Sequence, residues 1–412
     1  MQWRALLWLP GWCIIWIHEF IYRRSCPLKE AYLDNSSTTR VCEPAAAKVM
    51  ELMTENYGNP SSLHTLGFRA EQALTEARRN IAAALGAKED EVFFTSGGTE
   101  SNNLAIFGAA YARKRMGMHI VTTQIEHPSV TNAVRQLEKE GWEVTWLQPD
   151  REGHILPEAV QEAVRPDTTL VTMMAVNNEV GTILPLDAAA QAIAAKKAPA
   201  LLHVDAVQGF GKLDLRPERR KIDLLSISAH KIHGPKGVGF LYIDEKVKIR
   251  PLLYGGGQQK DMRSGTENVP GIAGMGRAAR EIYTDHQQKV EYITGLKDYM
   301  TDRMASLPGV TVNSRKGMES APQIVSASFQ GVRSEVLLHA LEDKGIYVSS
   351  GSACSSNHPA ISGTLKAIGV RQELLDSTLR FSFGVFNTRE EIDYCMEVLE
   401  ELLPVLRRYH RG

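Results

Sequence analysis

The run Ser226-Ile227-Ser228-Ala229-His230-Lys231-Ile232-His233-Gly234-Pro235-Lys236-Gly237 puts a lysine directly behind a β-rich segment and ahead of a glycine- and proline-rich loop. The stretch Asp223–Ser226 reads as a strand, and another, Val238–Ile243, follows the loop. The pattern repeats outward from this pair. Candidate strands Val92–Thr95, His119–Thr123, Val144–Leu147, Thr169–Met174 and Leu201–Asp205 precede it. Between them lie amphipathic segments at Ala70–Ala84, Ser101–Arg113, Val130–Glu140, Pro157–Val164 and Leu186–Ala195. Short strands alternating with helices define an α/β chain with crossover connections and a mainly parallel sheet. Near Asp285 the pattern changes to a long polar helix, Gln287–Ser306. Strand-like runs at Ile324–Phe329, Tyr347–Ser349 and Leu379–Phe383 follow, interleaved with helices, and a helix from Arg389 to about Arg408 closes the chain. We read a large domain over 44–286 and a smaller α+β domain built from 29–43 and 287–412.

With 412 residues there is ample chain for two domains and a large core. A formal net charge of −1 argues against nucleic acid or an anionic membrane as the main partner, since both demand a basic excess. The five cysteines (Cys13, Cys26, Cys42, Cys354 and Cys395) are odd in number and scattered, with no spacing that suggests disulfides or zinc. Such usage fits a reducing, cytoplasmic setting in which a thiol stays free for chemistry. Residues 1–28 stand apart, with Trp3, Trp8, Trp12 and Trp16 crowded into an apolar run broken by Pro10, Gly11, His18 and Glu19. That run is too interrupted for a membrane span of about 20 apolar residues. No small-residue cleavage site precedes Arg23-Arg24, so it is not read as a signal peptide. It reads as a dispensable tail or a start codon placed too early, with a membrane-surface anchor as the alternative.

Four stretches could carry chemistry. Thr95-Ser96-Gly97-Gly98-Thr99-Glu100 joins a strand to a helix, where free backbone N–H groups and the helix N-terminus suit an anion. It is equally a small-residue turn with Thr99 as the helix cap. Leu201-Leu202-His203-Val204-Asp205-Ala206-Val207-Gln208 ends a hydrophobic strand on a carboxylate, at the edge where open α/β sheets bind ligands. Asp205 could hold a heterocycle nitrogen protonated, or simply cap a turn. Lys231, desolvated behind its strand, could be the neutral amine that Schiff-base chemistry requires, although most lysines are solvated surface charges. His230 and His233 lack a third partner at metal-ligand spacing, so no metal is expected. Last, Val348-Ser349-Ser350-Gly351-Ser352-Ala353-Cys354-Ser355-Ser356-Asn357 sets one thiol in a small, polar stretch. Cys354 is there either a nucleophile or an inert thiol.

Together and in this order, the four stretches resemble the class V aminotransferase family of fold-type I pyridoxal-phosphate (PLP) enzymes, and within it cysteine desulfurases of the NifS/IscS kind. The likeness runs from Tyr32-Leu33-Asp34-Asn35 to the C-terminal helix; Ser228-Ala229-His230-Lys231 and Ser349-Ser350-Gly351-Ser352-Ala353-Cys354 are its most specific pieces. It implies that Lys231 carries PLP and that Asp205 pairs with the pyridine nitrogen, so that the ring acts as an electron sink. Gln208 would bond the phenolic oxygen, with Asn178 nearby, and His127 would stack on the ring and shuttle protons. Gly98, Thr99, Ser228 and His230 would hold the phosphate, joined by Thr266 from the partner subunit of a homodimer. Arg380 would clamp the substrate carboxylate bidentately. The family often has alanine where Gly98 stands; contact through backbone N–H makes that difference harmless on this reading.

The resemblance implies conversion of L-cysteine to alanine, with the sulfur held as a persulfide on Cys354 for an acceptor such as an iron–sulfur scaffold. The small domain would carry that cysteine loop. Rival readings are an aminotransferase, a selenocysteine lyase, or a non-catalytic scaffold of the same fold. An aminotransferase needs no thiol at Cys354, and a scaffold needs none of these side chains.

Overall fold

A computed structural model describes residues 30–317, 320–350 and 362–410. Its center is a seven-stranded sheet formed by β2 (Val92–Thr95), β3 (His119–Thr123), β4 (Glu143–Leu147), β5 (Thr168–Met174), β6 (Leu201–Asp205), β7 (Leu224–Ser228) and β8 (Gly239–Ile243). The spatial order is β2-β8-β7-β6-β5-β3-β4. β7, β6, β5, β3 and β4 pair in parallel, and β8 alone runs antiparallel to both its neighbors.

Side chains alternate across this sheet with a period of two, as strands require. Ile120, Leu170, Leu201, Leu224 and Leu241 face one core with the helices Gly98–Arg113 and Pro128–Lys139. Their neighbors Val121, Val171, Leu202, Leu225 and Phe240 face another, covered by Glu43–Thr54, Thr65–Leu85, Leu186–Lys196 and Val269–Tyr283. A sheet buried on both faces explains why its strands read as near-continuous apolar runs. Polar side chains interrupt these runs, among them His203: buried in β6, it bonds Thr172 Oγ1 at 2.7 Å and Ser226 Oγ at 2.9 Å, and burial pushes its pKa down to about 3. It is a neutral rung across three strands.

The second unit has an antiparallel sheet in the order β12 (Ser349–Ser350), β13 (Thr378–Ser382), β10 (Ile324–Phe329) and β9 (Val310–Val312). Beside it β1 (Ala31–Tyr32) pairs in parallel with β11 (Ile346–Tyr347). Its own core includes Leu33, Met300, Phe329, Phe381 and Leu399, with helices His286–Ala305, Ser334–Glu342 and Arg389–Leu406 around it. Ala31 and Leu33 belong to this core, so the described residues begin in the second unit before crossing to the first. Among the described residues no helix is long and apolar enough to cross a membrane.

Two helices of more than ten residues escape the sequence pattern, Glu43–Thr54 and Val269–Tyr283. The second carries Gly271, Gly274 and Gly276, poor helix formers taken singly. Packing accounts for them: a Cβ at Gly276 would lie 2.5 Å from Ala77 Cα, and one at Gly274 2.5 Å from Val49 Cγ2. The helix Thr65–Leu85 also starts earlier than its apolar period, because His64 Nδ1 accepts a hydrogen bond from the Gly67 N–H. β7 begins one residue later than expected, as the Asp223 carboxylate turns back to accept from the Leu202 N–H at 2.7 Å.

Candidate active site

The parallel strands deliver their C-terminal ends to one edge. β6 ends on Asp205, and β7 ends on Ser228, which leads into one 3-10 turn, Ala229–Lys231. Both Asp205 oxygens accept hydrogen bonds, Oδ1 from the Val207 N–H at 3.0 Å and Oδ2 from Asn102 Nδ2 at 2.8 Å. Lys231 Nζ donates to the Ser36 carbonyl and, at 2.7 Å, to the Ser37 carbonyl. Gln208 Nε2 reaches the same Ser36 carbonyl at 2.9 Å. His230 Nδ1 lies 3.2 Å from Thr38 Oγ1, and burial together with the charges of Lys231, Lys236 and Lys212 pushes its pKa down to about 4. Its ring is therefore neutral at pH 7, able to donate one N–H but carrying no charge.

The segment Asp34–Thr39 is thus the hub of the site, and sequence reading gave it no role. It also holds Arg380, whose Nη2 meets Asp34 Oδ1 at 3.1 Å and Ser37 Oγ at 2.7 Å, while Nη1 donates to the Asn178 carbonyl at 2.8 Å. Nε of Arg380 is buried with no partner. Both hydrogens of Nη2 are committed to Asp34 and Ser37, which leaves Nε–H as the buried donor without a partner. Lys212 braces the turn from below, its Nζ donating to the Lys231 carbonyl at 2.7 Å, and burial beside Lys231 pushes it down to about 7.

The helix Gly98–Arg113 starts on Gly97, which has φ 148° and no side chain to cap the first turn. Thr99 lies inside the helix, so the alternative of Thr99 as cap falls away. The Ser228 side chain lies against this turn, 3.6 Å from where a Cβ would stand on either glycine. A Cβ on Gly98 would also approach Val207 Cγ2 to 2.7 Å. An alanine at this position would therefore crowd Val207. Val207 is branched at Cβ and cannot swing clear cheaply. Arg263 Nε pairs with Glu100 at 2.8 Å, which ties the segment bearing the exposed Thr266 to the same turn of its own chain.

His127 caps the helix Pro128–Lys139, its Nδ1 lying 2.8 Å from Ser129 Oγ and accepting from the Ser129 N–H at 3.2 Å. Beside it Glu126 is buried, with Oε1 accepting from Thr123 Oγ1 at 2.7 Å and from the Met174 N–H at 3.0 Å. Burial, with the nearby Asp205 charge adding, pushes Glu126 up to about 8. Glu179 is pushed up too, chiefly by burial, and accepts from the Ser362 hydroxyl. Sequence reading singled out neither acid; their one signal is a carboxylate inside each of the stretches Glu126-His127-Pro128-Ser129 and Asn177-Asn178-Glu179-Val180-Gly181.

Cys354 lies outside the described residues. The chain reaches the stretch 351–361 from Ser350, where Ser349 is paired with Arg380, and returns at Ser362 beside Glu179. Among the described cysteines, Cys42 and Cys395 are buried, and burial pushes both thiols up.

Residues 31–395 match the family model described as aminotransferase class-V. The chain belongs to the class-V aminotransferase family. Members of this family use PLP. The cysteine desulfurase IscS of Dictyoglomus turgidum is 42% identical over 380 residues, 92% of this chain and 96% of its own length. A solved NifS-like protein superposes with a TM-score of 0.85 at 37% identity, covering 92% of this chain and 100% of that one. Another, described as SspA in complex with cysteine, gives 0.75 at 32% identity, covering 87% and 100%. The fold is accordingly that of the fold-type I PLP enzymes, a large mainly parallel sheet with helices on both faces.

The local structure of this class-V member fits the cofactor. An uncapped helix N-terminus on two glycines, with Ser228 against it and His230 two residues on, offers the N–H and O–H donors that a phosphate needs. Asp205 ends β6 and Lys231 lies in the turn that follows the adjacent parallel strand β7, at the same sheet edge, and the orphaned Nε of Arg380 awaits an acceptor.

Proposed function

We propose that this chain is a cysteine desulfurase, converting L-cysteine to L-alanine and holding the sulfur as a persulfide on Cys354. The observation that carries the reading is Lys231 Nζ, set at the C-terminal sheet edge with Gln208 and Arg380 through one shared segment, Asp34–Thr39. PLP bound to Lys231 supplies the electron sink that lets the Cα proton of an amino acid be removed.

Each residue then has a task. Asp205 meets the pyridine nitrogen, Gln208 and Asn178 lie at the phenolic side, and His127 covers the ring. Gly98, Thr99, Ser228 and His230 hold the phosphate, with Thr266 of a second copy completing it in a homodimer. Arg380, whose buried Nε–H has no partner, orients the substrate carboxylate. Lys231 Nζ takes the Cα proton and returns it. Cys354 Sγ bonds to the substrate sulfur as the substrate C–S bond breaks; the carbon left behind takes up a proton and departs as alanine. The flanks of 351–361, at Arg380 and Glu179, support this role for Cys354, as does the burial of Cys42 and Cys395. Residues 44–286 form the cofactor domain, and 29–43 with 287–412 form the smaller domain that carries Cys354. The sulfur passes to an acceptor such as an iron–sulfur scaffold protein, in the cytoplasm.

Lys231→Ala tests the assignment of the amine. The variant should lose turnover of L-cysteine, and borohydride reduction of the parent should fix PLP on the peptide containing Lys231. Near-normal turnover by the variant, or label on another lysine, would refute it.

A further inference from the structure

Asn102 lies one turn into the helix Gly98–Arg113, is almost wholly buried, and is named in none of the roles above. Its Nδ2 makes two hydrogen bonds of 2.8 Å, one to Asp205 Oδ2 and one to Ser129 Oγ. Ser129 Oγ in turn lies 2.8 Å from His127 Nδ1. Asn102 Oδ1 is buried with no partner.

The polarity of this chain is set by its acidic end. A carboxylate oxygen can only accept, so the face of Asn102 turned to Asp205 must be the N–H₂ face. The amide cannot flip, because its oxygen would then meet the carboxylate oxygen across a buried gap. The orphaned Oδ1 is the consequence of that choice. With both Nδ2 hydrogens donated, Ser129 Oγ is an acceptor toward Asn102, and its own hydrogen is left for His127 Nδ1. The Ser129 backbone N–H points at the same nitrogen from 3.2 Å. Nδ1 is therefore an acceptor from two donors, and the ring proton belongs on Nε2.

We propose that Asn102 is a positioning residue that reads the charge of Asp205 and, by orienting the Ser129 hydroxyl, gives His127 Nδ1 a second donor that reinforces the Nε2–H tautomer set by the Ser129 backbone N–H. The inference rests on the placement of Asp205 and His127 at the PLP ring. On that placement, one buried amide joins the group at the ring nitrogen to the group on the ring face. His127 then meets the cofactor with a donor in fixed orientation.

The test is nitrogen NMR on the full chain labeled with 15N-histidine, with and without bound PLP, using His127→Gln to assign the ring. The parent should show Nε2 protonated and Nδ1 as a hydrogen-bonded acceptor. In Asn102→Ala the hydroxyl is free to turn away, and Nδ1 should move downfield toward the free-imine position. Ser129→Ala should move it the same way. A protonated Nδ1 in the parent would overturn the proposal, as would an Nδ1 signal unmoved in Asn102→Ala or in Ser129→Ala. If Asn102→Ala does not fold, the parent tautomer and Ser129→Ala still decide. PLP uptake, read from visible absorbance on the same samples, is a separate question: a parent that binds no PLP would sink the functional reading, while the tautomer result would stand.

Discussion

Glu126→Gln should flatten the dependence of stability on pH. Glu126 is buried beside Asp205, with Oε1 held by two donors and Oε2 held by none. Its pKa of about 8 in the fold stands against about 4.3 in an unfolded chain. The native state thus binds this proton more tightly than the unfolded one. Its contribution is fully present below about pH 4 and is lost as pH rises through 8. At about 1.36 kcal/mol per unit, the parent should lose roughly 2–3 kcal/mol from this group between pH 5 and pH 7. Glutamine keeps an oxygen for the Thr123 and Met174 donors but has no proton to lose, so the variant escapes that loss. Urea unfolding of both proteins at pH 5, 6 and 7 measures the difference, in which every other titrating group cancels. Stability profiles that run parallel across this range would refute the account of Glu126 as a neutral acid.

Gly98→Ala should weaken PLP binding by about tenfold, because the new methyl group meets Val207 at the phosphate turn; Val207→Ala in the same chain should recover most of the loss. PLP titration followed by absorbance checks both, and a single variant with parent affinity would contradict the packing argument. Arg380→Lys should raise KM for L-cysteine tenfold or more while sparing PLP binding, since an ammonium cannot serve Asp34, Ser37, Asn178 and a substrate carboxylate together. Steady-state kinetics on PLP-saturated protein would count against the clamp if KM stayed at the parent value.

The sheet was legible because its strands are buried on both faces. Val92–Thr95, His119–Thr123 and Leu201–Asp205 form with the boundaries that their β-rich composition gives. The helix Val269–Tyr283 was not, since its glycines signal a loop until Ala77 and Val49 are known to lie against them. At the site, Lys231, Asp205, Gln208 and Arg380 announced themselves by motif, and the structure gathers them at one edge. The segment Asp34–Thr39 could not do so. Its contacts with Lys231, Gln208 and His233 run through backbone carbonyls or the common hydroxyl of Thr39, which carry no residue signature. Asn102 was hidden for another reason. A polar residue on a helix reads as solvent-facing until the sheet edge beneath it proves to end in a carboxylate. The shared commitments of Arg380 were likewise invisible, because they depend on Asp34 and on a carbonyl 202 positions away in sequence.

The central claim is that L-cysteine is cleaved between carbon and sulfur, with Cys354 receiving the sulfur. The most direct test measures alanine and sulfide from L-cysteine, with added thiol, for the parent and for Cys354→Ser. A serine hydroxyl stays protonated near neutrality and cannot hold sulfur as a persulfide, whereas a thiol of pKa about 8.5 gives a useful thiolate fraction there. The account predicts equal amounts of alanine and sulfide from the parent, and from the serine variant normal PLP binding with both products down by orders of magnitude. Sulfide at the parent rate from Cys354→Ser, or no alanine from the parent, would contradict it.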